Sequence, residues 1–455
     1  MYEKITLPHI THSLIKDQFY TVLSVELGNT TIKSIILTTN IKTNQIYQIN
    51  KVVHLTRDIR LPDESEEIFG HTIWDKELSK QAIEEAIVKV ILDSLTQVNM
   101  TVQDLDFVVR STGVVAISNL SSEMGLIIKA LSDACLKAGI KPSQMTAPFY
   151  LNNIPEHIRR FSFFNNIQFD GSIVSVAPPK TTGILSNEME GELVTAGIKL
   201  ASKNSSVDYR NPVISIDMGT TLAGQVIDNT KPYANLLCNY VGLAGGISDI
   251  LLRSTGIINE TFSTIDVQNG NNYQELNIEE VNEVTKKLHE FIDIMEVPPN
   301  VNQFGLVSVH SQGKITSNLK IIGARISNEE KLKTTFNKLV DIQDINRIML
   351  QIDDFYAYYI KRLIDQTKKQ NINLENMTLG ITGRAGTTGR KPELIHNYLK
   401  DEFNEIIFAE DGLALGALMM ARCMNSLGTP TNPIGGSKKG FCIMQQRIQK
   451  NNNKD

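Results

Sequence analysis

The chain has 455 residues, which is too long for one ordinary hydrophobic core, so two or three domains are expected. A content of 41% hydrophobic and 21% charged residues is typical of a globular protein. The formal charge of -5 argues against a general nucleic-acid binder, because such proteins are basic overall. No apolar run approaches the roughly 18 residues of a membrane span, and residues 1–20 are too polar for a signal peptide, so we expect a cytoplasmic protein without a membrane partner.

The first half predicts an α/β unit that opens with a β-meander. Runs of β-branched and apolar residues predict strands, and apolar residues at helical spacing predict helices. The predicted strands are 19–27, 30–40, 45–56 and 105–113, and the predicted helices are 79–98 and 121–140. The charged stretch 54–75, which contains the only tryptophan, Trp74, interrupts this pattern. We interpret it as an insertion with an accessory or partner-contacting role.

The second half repeats this arrangement. The predicted strands are 212–218, 220–229, 231–242, 377–386 with a glycine-rich loop at its end, and 405–409. The predicted helices are 242–256 after a glycine-rich turn, about 278–294, about 328–369, 391–403 and 410–428. The polar stretch 205–212 separates the halves. We therefore predict domains at 1–205 and 206–428, with a helical insertion at about 278–369 in the second, and a mobile polar tail at 429–455.

Two predicted hairpins share one polar pattern. "VELGNTT" at 25–31 and "IDMGTT" at 216–221 each place an acid, a glycine and a hydroxyl at the same spacing. Backbone amides and hydroxyls bind phosphates, and glycine lets the backbone approach closely. An acid at this position is expected to hold magnesium, through water, or to orient a water for attack. The pattern predicts that both hairpins hold one chain of phosphates, with Glu26 and Asp217 as catalytic and magnesium-binding acids. The predicted binding residues are Gly28, Asn29, Thr30, Thr31, Gly219, Thr220 and Thr221.

Two glycine-rich loops supply the remaining candidates. "GLAGGIS" at 242–248 precedes a helix, and free amides at a helix start favour an anion. "GITGRAG" at 380–386 ends a strand, where the sugar and base of a nucleotide would fit. Arg384 is either a nucleotide contact or a surface arginine. The candidates in these loops are Gly242, Gly245, Gly246, Gly383, Arg384 and Gly386.

The order of hairpin, α/β pair, hairpin, two glycine loops and closing helix resembles the actin, sugar-kinase and heat-shock ATPase superfamily. "VELGNTT" resembles its first phosphate motif, "IDMGTTLAG" its second and "GITGRAG" its adenosine motif. The resemblance implies an α/β fold of two ribonuclease-H-like domains, of the actin/hexokinase type, flanking an interdomain cleft for ATP and magnesium. Glu26 departs from the superfamily pattern, which has an aspartate there, so its support for hydrolysis stays open.

More closely, "SVELGNTTIKSIILTTN", "DFVVRSTGVV", "NEMEGELVTAGIK" and "ISIDMGTTLAG" resemble the methanogenesis marker protein 14 family over nearly the whole chain. This resemblance implies a methanogenic archaeon. Relatives by fold include ATP-dependent reactivators of corrinoid and radical enzymes, which implies a slow ATPase that activates, reactivates or assembles a methanogenic metalloenzyme or corrinoid protein as its client. A small-molecule kinase or carbamoyl-transfer enzyme of the same fold, and a nucleotide-binding scaffold without turnover, stay open.

Two further polar groups have alternative interpretations. Glu188 and Glu192 would share one face of a helix and Glu190 would lie on another. These acids fit a magnesium or partner site, but we expect a solvated helix start. Arg110 and Ser111, at a strand end, either meet a client or substrate or pack beneath the cleft.

Overall fold

The structure is a computed structural model. It describes residues 2–11, 18–40, 42–43, 45–72, 74–113, 121–145, 188–202, 205, 213–228, 235–267, 278–299, 301, 303–309, 320–403 and 405–427. The predicted tail at 429–455 lies outside the described residues.

The strands in these ranges are β1 (Tyr2–Ile5), β2 (Phe19–Leu27), β3 (Thr31–Asn40), β4 (Ile46–Leu55), β5 (Ile68–His71), β6 (Glu77–Ser79), β7 (Phe107–Thr112), β8 (Val213–Met218), β9 (Thr221–Asp228), β10 (Asn235–Leu243), β11 (Ile292–Glu296), β12 (Gln303–Phe304), β13 (Val307–Ser308), β14 (Lys320–Ile326), β15 (Thr378–Thr382) and β16 (Ile406–Ala409). The α-helices are α1 (Lys80–Thr96), α2 (Ser121–Lys137), α3 (Glu188–Ala201), α4 (Gly246–Thr255), α5 (Ile278–Leu288), α6 (Glu329–Leu339), α7 (Ile345–Lys369), α8 (Arg384–Thr387), α9 (Lys391–Leu399) and α10 (Gly412–Leu427). None of these helices combines the length and the apolar character that crossing a membrane requires.

The first sheet has the strand order β4-β3-β2-β7. β2, β3 and β4 form an antiparallel meander, and β7 pairs in parallel with β2. β2 is apolar along most of its length because both of its faces are covered. α1 begins at Ser79, whose hydroxyl accepts a hydrogen bond of 3.1 Å from the amide of Ala82. α1 packs against β3 and β4 on one face of this sheet, and α10 also packs against the sheet, contacting β2, β3 and β7.

The second sheet repeats this order and extends it. Its order is β1-β16-β15-β8-β9-β10-β14-β11. β8, β9 and β10 form an antiparallel meander, and β15 and β16 follow in parallel beside β8. This is the strand order of a ribonuclease-H-like unit, and its meander and first parallel strand recur in the first sheet. The predicted fold class, an α/β protein of two such units, is therefore confirmed.

The predicted domain boundary and the predicted helical insertion each differ from the structure in one detail. β1 pairs in parallel with β16, so residues 2–5 belong to the second sheet although the predicted boundary placed 1–205 in the first unit. The predicted helical insertion at about 278–369 also contains the strands β11 to β14. The helix expected at about 278–294 ends at Leu288, and β11 follows it. Ile292 and Ile294 of β11 are both buried, which is the alternation of a strand. Five residues are too short a run for this alternation to indicate a strand in the sequence.

α3 and α10 connect the two units. α3 packs on β8 and β9 of the second sheet, and the two helices pack against each other. A Cβ at Gly197 would lie 1.9 Å from the carbonyl oxygen of Gly412, and a Cβ at Gly416 would lie 1.8 Å from that of Leu193. The helices cross this closely because no side chain separates their backbones.

Candidate functional site

The turns of the two predicted phosphate hairpins meet between the sheets. In the first hairpin, a hydrogen bond of 2.8 Å from the Gly28 amide to the Thr31 carbonyl closes a two-residue turn. In the second, strand pairing continues to Met218 and a three-residue turn follows. The hydroxyl oxygens of Thr30 and Thr220 lie 3.3 Å apart, so a hydrogen bond joins the two turns. The repeated sequence pattern therefore marks two turns that face each other.

A cavity of about 450 Å³ lies against these turns and is lined by residues of both units. Most of the predicted binding residues and both predicted acids line it. They are Glu26, Gly28, Asn29, Thr30, Thr31, Asp217, Gly219, Thr220, Thr221, Gly245, Gly383 and Arg384. Gly242, Gly246 and Gly386 do not line this cavity.

The loop before α4 binds the second hairpin, which corrects the expectation of free amides at this helix start. The amides of Gly245 and Gly246 donate to carbonyls in the turn of the second hairpin at 2.8 and 3.1 Å. The amide of Ser248 donates to the hydroxyl of Tyr356 at 2.9 Å. All three amides have protein acceptors and are not available to an anion, and those of Gly245 and Gly246 also stabilise the hairpin.

Gly242 and Gly386 allow close packing. Gly242 has a φ of +141°, and a Cβ there would lie 2.1 Å from the carbonyl oxygen of Ala324. A Cβ at Gly386 would lie 2.6 Å from the Cγ2 atom of Ile381. A glycine needed for packing and a glycine needed beside a ligand look alike in a sequence, because both are defined by the missing side chain.

Gly383 brings the second glycine loop against Asp217. Its φ is +80°, and a Cβ there would lie 2.4 Å from Oδ1 of Asp217. The neighbouring Arg384 is exposed at the edge of the cavity. Its guanidinium makes no hydrogen bond or ion pair within the part of the chain that the structure describes. Arg384 is therefore placed where it can contact a ligand.

The charged residues of the cavity form ion pairs and leave an excess of acid. Oε2 of Glu26 lies 3.1 Å from Nζ of Lys33. Nζ of Lys51 donates to both carboxylate oxygens of Asp411, at 2.8 and 2.6 Å. Asp217 makes no ion pair with any described residue, and acids outnumber lysines and arginines among the lining residues. This excess of acids favours a bound cation, which would stabilise the ionised form of the carboxyl groups.

Glu190 is a cavity residue that sequence reasoning interpreted wrongly. It lies in the first turn of α3, and Oε2 is buried without a hydrogen-bond partner in the described residues. The same atom would lie 3.9 Å from a Cβ at Gly113, beyond the end of β7. The expected solvated helix start does not describe Glu190. No sequence signal indicates that Glu190 meets the cavity, because only the packing of α3 decides which of its faces does so.

Crowding of the acids changes their ionisation. Burial and, after it, the charge of Glu26 raise the pKa of Asp217 to about 7, although Lys33 opposes this. Burial, Asp217 and Glu26 together raise the pKa of Glu190 well above its ordinary value. Two neighbouring carboxyl groups with raised pKa values are typical of a functional site.

The unliganded protein should become less stable as the pH rises through this range. The folded-state pKa of Asp217, about 7, lies above its ordinary value of 3.8, so between them the folded state binds more protons and the free energy of unfolding falls with rising pH. We expect Asp217→Asn to match the wild type near about pH 4 and to exceed its free energy of unfolding by roughly 1–3 kcal/mol at about pH 8. Urea unfolding of both proteins across this range measures the difference. A difference independent of pH would contradict the raised pKa.

Arg110 lies on β7 and hydrogen-bonds Ser132 of α2, and burial lowers its pKa. Neither Arg110 nor Ser111 lines the cavity, so the packing interpretation describes them better than a client or substrate contact. Trp74 of the predicted insertion lies against Arg253 of the second unit.

Three solved structures resemble this chain weakly. Gluconate kinase from Lactobacillus acidophilus covers 96% of this chain and 97% of its own with 10% identity and a TM-score of 0.38. The ethanolamine utilization protein EutJ from Carboxydothermus hydrogenoformans covers 90% of both chains with 10% identity and a TM-score of 0.36. A reductive activator for a corrinoid, iron-sulfur protein covers 95% of this chain and 66% of its own with 9% identity and a TM-score of 0.36. At these scores we draw no inference from them.

Sequence relatives are much closer. An uncharacterized protein of Methanothermobacter thermautotrophicus is 43% identical over 443 residues, which is 96% of this chain and 84% of the relative. An uncharacterized protein of Methanocaldococcus jannaschii is 44% identical over 447 residues, which is 95% of this chain and 92% of the relative. The profile of the family described as "Uncharacterized protein conserved in archaea (DUF2114)" matches residues 19–451. The chain belongs to this archaeal family.

Proposed function

We propose that this protein binds ATP and magnesium between its two units and hydrolyses the ATP slowly to act on a methanogenic metalloenzyme or corrinoid protein. One observation carries the proposal. The turns that contain Thr30 and Thr220 are joined at 3.3 Å, and the acids Glu26 and Asp217 of the same two hairpins line one cavity. This arrangement lets a single chain of phosphates contact both units at once.

The polar groups of the second turn fit phosphate. The amides of Gly219 and Thr220 have no protein acceptor among the described residues, and the hydroxyl of Thr220 is at the cavity. Unpaired amides beside hydroxyls provide donors for phosphate oxygens without adding charge.

The acids fit a divalent cation. The described residues contain no group of three or more His, Cys, Asp and Glu side chains arranged to hold a metal ion directly. We propose that Glu26 and Asp217 hold magnesium through water, as is usual for an ion that also binds phosphate oxygens. When bound, magnesium neutralises charge on the phosphates.

Glu190 is suited to bind and deprotonate the attacking water. Its Oε2 atom is buried and has no hydrogen-bond partner in the part of the chain that the structure describes, so it can accept a hydrogen bond. Burial, Asp217 and Glu26 raise its pKa, and a bound cation would offset the part of that rise that comes from the charges of the two acids, which favours the ionised form that a base requires. Lys33 holds the carboxylate of Glu26 in place at 3.1 Å, which restricts the additional rotation that the longer glutamate side chain allows.

The proposed client rests on the resemblance to the methanogenesis marker protein 14 family and on the methanogen relatives. Because one nucleotide would contact both units, its hydrolysis can change how the units are arranged and thereby act on a bound client. Binding at both hairpins favours a closed arrangement of the units, and hydrolysis removes that preference.

A second candidate function has one specific observation in its favour. Ser24 and Ile35, which pair across β2 and β3 farther from the turn than Glu26, line the cavity, as does Leu413 of α10. A small phosphoryl acceptor could bind against these residues, as a small-molecule kinase requires. An ATPase releases ADP and phosphate in equal amounts, whereas a kinase supplied with a methanogen metabolite extract forms ADP without equivalent phosphate.

The test of the proposed function is magnesium-dependent ATP binding and turnover by the anaerobically purified protein and its Glu190→Gln variant. Loss of the proposed base should lower turnover about 10²-fold or more while the affinity for MgATP changes less than about threefold. Calorimetry measures affinity and phosphate release measures turnover. Glu402→Gln is a matched control, because Glu402 also has a buried Oε2 atom but lies outside the cavity lining.

The other outcomes separate the alternatives. Tight binding without turnover in the wild type, even with methanogen extract, would favour a nucleotide-binding scaffold. No binding at all would show that the paired hairpins hold another ligand.

A further inference from the structure

The predicted insertion at 54–75 lies partly against the second unit. Arg57, in a 3₁₀-helix at Thr56–Asp58, makes a bidentate ion pair with Asp266. Nη1 of Arg57 donates to Oδ2 at 2.5 Å and Nη2 donates to Oδ1 at 2.8 Å. The guanidinium also lies 4.4 Å from the ring centroid of Phe262. Arg57 therefore contacts the second unit through both charge and an aromatic face.

A reciprocal contact lies beside it. Trp74, in the turn between β5 and β6, packs under the guanidinium of Arg253 of α4, at 3.8 Å from the ring. Here the second unit supplies the cation and the first unit supplies the ring. We call the five residues Arg57, Trp74, Arg253, Phe262 and Asp266 the clasp.

One end of the clasp is attached to the first phosphate hairpin. The hydroxyl of Thr56 donates to the carbonyl of Asn29 at 2.8 Å. The amide of Thr56 donates to the carbonyl of Thr30 at 3.0 Å. Arg57 is the next residue, so a movement of this turn is transmitted directly to the ion pair.

The other end is attached to the opposite cavity wall. Oδ2 of Asp266 accepts a hydrogen bond of 2.9 Å from the amide of Ser263. The amide of Thr264 donates to Oδ1 of Asp249 in α4 at 2.7 Å. Ser263, Thr264 and Asp249 all line the cavity. Arg57 therefore reaches this wall through Asp266.

We infer that the clasp positions the cavity wall formed by residues 263–267 against the first hairpin, and that it controls the rate at which the nucleotide is released. This inference rests on the proposed function. Arg57 and Trp74 do not line the cavity, so they act through Asp266, Arg253 and the loop between them rather than on the ligand.

The exposure of the ion pair suits a contact that opens and closes. The side chains of Arg57 and Asp266 are 29% and 14% exposed, so water can replace the contact when the units separate. A fully buried pair would resist opening, because a lone charge would remain in a dry site. The clasp can therefore slow release without locking the units together.

The experiment measures the rate of ADP dissociation by stopped flow. Protein loaded with MgADP is mixed with excess ATP, and the fluorescence of Trp74 is followed. Trp74 is the only tryptophan in the chain, so its emission reports on the clasp alone. Arg57→Gln and Asp266→Asn should each increase the dissociation rate about tenfold, and the double variant should be no faster than either single variant. Asparagine retains an oxygen for the Ser263 amide, so this variant isolates the ion pair. Arg57→Lys keeps the positive charge, so its ADP dissociation rate should lie between those of the wild type and Arg57→Gln.

Arg60→Gln is the matched control. Arg60 belongs to the same insertion, but its ion pairs with Glu66 and Glu85 lie within the first unit. The ADP dissociation rate of the Arg60→Gln variant should therefore equal that of the wild type. Wild-type binding with unchanged rates in both clasp variants, or additive effects in the double variant, would overturn the clasp. An absence of any nucleotide binding by the wild type would instead overturn the proposed function on which the clasp rests.

Discussion

Asp217→Asn is expected to lower magnesium-dependent ATP turnover about 10³-fold and to remove the dependence of ATP affinity on magnesium. Asp217 is 7% exposed, lines the cavity and makes no ion pair within the described residues, so its carboxyl group is available to a bound cation. Asparagine retains the shape and one oxygen but loses the negative charge that attracts the magnesium ion. Phosphate release and calorimetry with and without magnesium measure the two effects.

Asp354→Asn is the matched control for this prediction. Asp354 is also buried, and burial raises its pKa to about 6, but it contacts Thr285 and Tyr398 and does not line the cavity. Its variant should retain turnover and magnesium dependence. Equal losses in both variants would mean that removing any buried carboxylate damages the protein, and the role of Asp217 would then be unsupported.

Gly416→Ala is expected to lower the free energy of unfolding by about 1–3 kcal/mol and to reduce ATP turnover as well. The new Cβ would lie 1.8 Å from the carbonyl oxygen of Leu193, so α3 and α10 must move apart. The first turns of these helices carry Glu190 and the cavity residues Gly412 and Leu413. Separation of the helices therefore displaces the proposed base as well as loosening the packing.

Gly70→Ala tests whether this effect belongs to the helix crossing. A Cβ at Gly70 would meet no atom within 4 Å, so this substitution should change the free energy of unfolding little. Denaturant unfolding of both variants gives the comparison. A stable Gly416→Ala protein with normal turnover would show that the helices can separate without affecting the cavity.

The sequence predicted the parts of the site that depend on local chain geometry. The acid-glycine-hydroxyl pattern identifies both hairpins because a tight turn and a hydroxyl at its tip are properties of neighbouring residues. The order of strands and helices likewise follows from local periodicity. That the two hairpins would lie at one site, although Thr30 and Thr220 are 190 residues apart, was predicted only because the same pattern occurs twice.

Local patterns failed where orientation and long-range packing decide. Glu190 faces the cavity because of how α3 packs on the second sheet, and neither its neighbours nor its spacing encode that direction. Gly242 and Gly246 have the composition of an anion loop, but the amide of Gly246 is already bound to the second hairpin.

By itself, the sequence of this protein determined the two α/β units, the two hairpins that share the acid-glycine-hydroxyl pattern and the candidate acids Glu26 and Asp217, because each is encoded by residues close together in the chain. Only the tertiary structure decided the position of β1 in the second sheet, the entry of Glu190 into the cavity and the contact of Arg57 with Asp266. Each of these depends on how distant segments pack, and packing free energy is summed over many contacts that no single segment contains.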